Sequence, residues 1–171
     1  MKLLTQNLFF LPIISNSTVT TGFYSPGVHM GRGEAIELMI SFGTLGTASY
    51  TVTVGCSATA KSTVPDYDMN FRYALSAAAG TDTMGTLTNY TGGNGTSTPS
   101  SGVTITYTTY SNCTMIIDVS SEELAQGYPY LQVGIARGGS ATATFICING
   151  IYEPRYPQLS TTQGSGIGLF T

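Results

Sequence analysis

From Glu34 onward apolar side chains recur at every second position. Ile36, Leu38, Ile40 and Phe42 are separated by Glu37, Met39 and Ser41. A period of two places one row of side chains on a core face and the other row outward, which a strand does and a helix does not. After the turn Gly43 to Gly46 the pattern returns in Tyr50, Val52, Val54 and Cys56, predicting a hairpin partner. It recurs in Phe71, Tyr73 and Leu75, in Val103, Ile105 and Tyr107, and in Leu131, Val133 and Ile135. In the last strand, Thr142 to Tyr152, Phe145, Cys147 and Asn149 face opposite Ile146, Ile148 and Gly150. Met84 to Tyr90 adds a short strand, and Asn112 to Val119 adds one whose Met115-Ile116-Ile117 run predicts burial on both faces. The one predicted helical turn is Ser120 to Leu124, where Glu123 three residues after Ser120 can complete a capping box. About eight strands separated by turn signals predict an all-β antiparallel sandwich or jelly roll.

The 171 residues suit one domain. The alternating core spans residues 31–152, with a predicted arm at 1–30 and a tail at 153–171. The arm is apolar at Leu8, Phe9, Phe10, Ile13 and Ile14 but broken by Thr5, Gln6 and Asn7. It reads as an arm rather than a secretory signal, and it is too short for a membrane span, which needs about 20 apolar residues. Pro154 and Pro157 end the last strand, around Arg155 and Tyr156, and the polar tail turns apolar again at Ile167, Leu169 and Phe170. Both ends are expected to bind a partner. Residues 91–102, built of Gly, Asn, Thr, Ser and Pro, predict an exposed loop tip.

Only 9% of residues are charged and the net charge is -3. The six cations stand singly, so there is no basic stripe for nucleic acid. A surface with so little charge repulsion favours permanent association. No catalytic constellation emerges. His29 is the only histidine, which leaves no histidine cluster for a metal. Asp66 and Asp68 flank Tyr67 without a third carboxylate nearby, short of the six or more oxygens that calcium takes. Glu122 and Glu123 read as acids at a helix start. Gly92, Gly93 and Gly95 neither join a strand to a helix nor precede a Lys-Ser pair, so they form no phosphate loop. Cys56, Cys113 and Cys147 lie in predicted strands without a CxxC and read as small buried residues; one disulfide plus a free thiol is the alternative. Asn-X-Ser/Thr triplets at Asn16, Asn89, Asn94 and Asn112 are expected by chance in a chain this rich in Ser and Thr. Arg32, between Gly31 and Gly33, is either an ordinary loop cation or a cross-link to a neighbouring subunit's carboxylate. Eleven tyrosines without a tryptophan favour protein interfaces over sugar stacking.

Three stretches carry a family resemblance: Tyr130-Leu-Gln-Val-Gly-Ile-Ala, Gly138-Gly-Ser-Ala-Thr-Ala-Thr-Phe-Ile, and Ile151-Tyr-Glu-Pro-Arg-Tyr-Pro-Gln. Over residues 118–158, about a quarter of the chain, they resemble the last hairpin and exit tail of the small β-sandwich proteins that decorate the heads of tailed bacteriophages. The resemblance implies a virion structural protein of the decoration or cement type on the capsid exterior. It also implies a homo-oligomer, a trimer above all, bound to the major capsid protein or another virion protein, with no catalytic residue; no cofactor, nucleic acid or membrane is expected from the residues themselves. The partner-binding residues expected are Leu8, Phe9, Phe10, Ile13, Ile14, Arg32, Arg155, Tyr156, Leu169 and Phe170. The alternatives are a carbohydrate-binding or adhesive module with a platform from Tyr67, Tyr107 and Tyr110, and a secreted shell or pilus-like subunit.

Overall fold

A computed structural model describes residues 8–47, 49–60, 63–76, 84–93, 95, 102–138 and 144–155. The strands are β1 (Phe9–Val19), β2 (Phe23–Tyr24), β3 (Val28–His29), β4 (Gly33–Phe42), β5 (Ser49–Ser57) and β6 (Tyr67–Asp68). They continue as β7 (Phe71–Leu75), β8 (Thr88–Tyr90), β9 (Val103–Ile105), β10 (Thr114–Ser120), β11 (Tyr130–Gly138) and β12 (Thr144–Pro154). Pairing is antiparallel and nested. β1 pairs with β12, β2 and β3 with β11, β4 with β10, and β5 with β9. The chain is thus one long hairpin rolled into two facing sheets, the jelly-roll arrangement. The first sheet runs β1-β12-β4-β10-β7-β8; the second is centred on β11 and β5, flanked by β2 and β3 on one side and by β6 and β9 on the other.

The inward rows are those the alternation predicts. Ile36, Leu38, Ile40, Phe42, Met115, Ile117, Val119, Ile146 and Ile148 of the first sheet meet Tyr50, Val52, Val54, Cys56, Leu131, Val133 and Ile135 of the second. Each such side chain contributes about 1.5–3 kcal/mol relative to exposure. β10 is buried on one face, not two: Ile116 points outward and is half-buried. The capping box forms as expected, with Glu123 Oε2 accepting from Ser120 N at 2.7 Å over the short 3-10 helix Ser121–Glu123. A second helical turn, α1 (Tyr107–Tyr110), stands where the alternation predicted more strand. The chain leaves β9 in one sheet and must reach β10 in the other; Thr106 O accepts from Tyr110 N at 2.9 Å as it crosses. Asn112 then turns it with a φ of 56°, a left-handed conformation that Asn tolerates better than most residues.

The largest departure from expectation is the arm. Residues 9–29 contain the first three strands of the sandwich: Leu11, Ile13 and Val19 lie in the core, as does Val28, which pairs with Leu131 of β11. Two bulges, between Pro12 and Ile14 and between Ile14 and Ser17, let β1 follow the curve of β12.

Among the described residues the cysteines are unpaired thiols, with Cys56 and Cys113 buried and Cys147 half-buried. Cys113 immediately precedes β10 rather than lying in a strand. Burial pushes its thiol up to about 11, and pushes the Cys56 thiol and the Tyr24, Tyr50 and Tyr152 hydroxyls upward too. These folded-state values exceed the unfolded ones, so the unfolded chain sheds its protons first as pH rises. Stability is therefore full below about pH 9 and declines toward about pH 11. Thermal melts over that range should show a falling midpoint, with a shallower fall in Cys113→Ala.

Candidate protein-contact surface

The two sheets treat their outer faces differently. On the second sheet the outward row is small and polar: Thr53, Gly55, Ser57, Gln132 and Gly134 are all buried. The chain itself covers them. A Cβ at Gly55 would come within 2.5 Å of Pro65, and one at Gly134 within 2.6 Å of the Tyr24 ring, so only glycine lets these covers lie so close. The buried polar atoms are satisfied beneath them. Ser57 Oγ donates to Gln132 Oε1, Gln132 Nε2 donates to Ser25 O at 3.0 Å, and Ser25 Oγ accepts from Val133 N at 3.0 Å.

The outer face of the first sheet has no such cover among the described residues. Cross-strand register aligns it in transverse rows. One runs Pro12, Asn149, Met39, Ile116, Ala74. The next runs Phe10, Ile151, Glu37, Asp118, Arg72. On the other side of the Met39 row lie Cys147, Ser41 and Thr114, and beyond them Phe145. Phe10 is 65% and Phe145 56% exposed, and Met39, Ile116, Cys147 and Ile151 are each half-buried. A solvated sheet face normally alternates apolar-in with polar-out. Here Phe10, Phe145, Ile151, Met39 and Ile116 stand among Asn149, Glu37, Ser41, Thr114 and Asp118, so large apolar side chains interrupt the polar row on β1, β12, β4 and β10. Clustered apolar side chains at a surface mark contact sites.

Charge enters this face in one row. Arg72 pairs with Asp118 at 2.8 Å, while Glu37 sits directly across from Asp118 with no ion pair among the described residues. At the adjoining end of the sandwich, Arg155 binds Glu34 Oε2 at 3.2 Å and Ser121 Oγ at 3.0 Å. Arg32 lies beside it, exposed, its carbonyl accepting from Arg155 N at 2.9 Å. Tyr67 and Tyr128 have ring centroids 6.2 Å apart, and Tyr67 lines a depression of about 280 Å³ together with Asp68, Asn70 and Glu123.

Of the residues expected to bind a partner, Phe10 lies on the open face and Arg32 at its end. Arg155 is exposed but engaged by Glu34. Leu8 is half-buried, and Phe9 and Ile14 pack against the core. Ile13 is a core residue, 7% exposed, because the β1 pleat turns it inward over β12. Tyr156, Leu169 and Phe170 lie outside the described residues, as does Asn94. The tyrosine platform is not assembled: β6, with Tyr67, and β9, leading to Tyr110, join β5 at opposite ends, and Tyr110 packs against the core. Asp66 Oδ2 caps Ala58 N at 2.8 Å. Among the described residues no group of three or more His, Cys, Asp or Glu is placed to hold a metal, and no helix is long and apolar enough to cross a membrane. Sequence reading missed Met39, Ile116 and Ile151 as surface residues; the signal was the apolar character of positions alternating with an apolar row.

No protein-family model matches the chain, and no curated protein matches it. Among solved structures it is similar to a chain from the structure of infectious bursal disease virus Gt strain, with 11% identity and a TM-score of 0.25. The match covers 91% of this chain and 42% of that one, so this chain spans less than half the length of its structural neighbour. A likeness of that degree assigns no role.

Proposed function

We propose that this chain is a virion structural protein of the decoration or cement type, which binds and stabilises a capsid surface through protein–protein contacts. The observation that carries the reading is the asymmetry of the two outer faces among the described residues: the middle of one is covered by the chain's own segments, while the other carries large apolar side chains on four strands that no described segment covers. A protein with 9% charged residues has little to keep such a face apart from other surfaces, and a permanent assembly removes that hazard. Jelly rolls build viral shells, but also lectins and cupins, so the fold permits the reading without selecting it.

The experiment is mass spectrometry and cryo-electron microscopy of purified particles of the virus that encodes the chain. The expected result is a fixed copy number per major capsid protein, on the exterior, with the face of Met39 and Ile116 against the shell or a neighbouring copy. Absence of the chain from purified particles would overturn the reading.

A further inference from the structure

We infer that part of the open face of the first sheet is closed by a second copy of this chain, with Arg32 of one copy against Glu37 of the other. The inference rests on the reading of that face as a protein-contact surface.

Charge complementarity identifies the occupant. Glu37 lies in the apolar field, opposite Ile151 on one side and the like charge of Asp118 on the other. Directly opposed like charges destabilise a sheet. Arg72, the nearest cation in that row, is already bound to Asp118. Whatever covers the face must bring a cation to Glu37 or leave a carboxylate desolvated and unpaired. The other described arginines are engaged as well: Arg155 with Glu34 and Ser121, and Arg137 with Thr20 O. Arg32 is exposed and holds no such partner among the described residues.

The two residues cannot meet within one chain. Arg32 lies in the turn before β4 and Glu37 four residues into the strand from Gly33, about 13 Å along β4 from its first residue. The turn directs Arg32 to the end of the sandwich, while Glu37 lies on the sheet's outer face. Between copies the match is direct. The Arg32 turn is joined to the 128–130 segment by Met30 N donating to Pro129 O at 2.8 Å, so the approaching end also offers Tyr128 and Tyr67. Arginine and tyrosine are the side chains that most often anchor interfaces, and they would lie on the Met39 and Ile116 row. Donor end and acceptor face are different patches of one chain. The pair can form twice across a two-fold axis, Arg32 of each copy on Glu37 of the other, or once per step around a ring.

Charge-swap sedimentation velocity on the full chain tests this, with wild type, Arg32→Glu, Glu37→Arg and the double variant. Wild type is expected to assemble. Each single variant should dissociate at least about tenfold more readily, and the double variant should recover to within a few-fold of wild type. All four should stay folded, since both side chains are exposed and Glu37→Arg removes the like charge opposite Asp118. A wild type that stays monomeric at every concentration overturns the copy contact, as does an assembly indifferent to the single charges or a double variant without recovery. Recovery in the double variant of a chain absent from virions would sustain this contact and sink the capsid reading alone.

Discussion

A chain lacking residues 1–14 is expected to lose its cooperative unfolding transition near ambient temperature instead of yielding a trimmed, stable core. The deletion removes the first half of β1, including Leu11 and Ile13, both only 7% exposed. Each is worth about 1.5–3 kcal/mol by burial. The loss extends to their partners, because Phe9 faces Tyr152, Leu11 faces Gly150 and Ile14 faces Ile148 along β12. Those inner residues of β12 would be opened to water at the sheet edge. The total, about 5 kcal/mol or more, is of the order of the whole stability of a domain, about 5–15 kcal/mol. Urea and thermal unfolding of the truncated and full chains measure it. A truncated chain melting within a few degrees of the full one would show that the amino-terminal strand is dispensable, and would return residues 1–14 to the role of an arm.

That strand also shows where sequence reading ran out. β4, β5, β10, β11 and β12 were legible because each has one clean inward row, so a period of two survives in the sequence. β1 has Phe9, Phe10, Leu11, Ile13 and Ile14 nearly consecutive, Pro12 among them, and two bulges that shift its register. Its period is erased locally. Its partner β12 lies more than a hundred residues away, and nothing local signals that pairing. β2 and β3 are two residues each, split by Ser25, Pro26 and Gly27, too short to display any period. The contact surface was legible in part. Arg32 stood out by its glycine neighbours, but Glu37, Met39 and Ile116 were read as the polar or buried alternates of core strands. Only register shows that β12, β4, β10 and β7 place these alternates side by side on one face that no described segment covers.

Two neighbouring isoleucines in β10 separate what holds the fold from what the fold presents. Ile117 is fully buried, paired with Leu38 on one side and Tyr73 on the other near the middle of the first sheet. Ile117→Ala is expected to cost about 2–5 kcal/mol, since a cavity there is walled by rigid strands on both flanks and by the second sheet above. Ile116 is paired with Met39 and Ala74 on the outer face and is half-buried. Ile116→Ala should cost less than about 1.5 kcal/mol, because the truncated side chain leaves a dent open to water instead of a closed void. Association should respond in the opposite order. Ile116→Ala removes contact area from the middle of the apolar row and should speed dissociation of assembled copies, whereas Ile117→Ala, where folded, should leave it nearly unchanged. Urea midpoints paired with sedimentation of the same samples give both quantities. Equal stability losses in the two variants would mean that Ile116 is sealed by the chain itself, and the open face would then cease to be the surface through which this protein works.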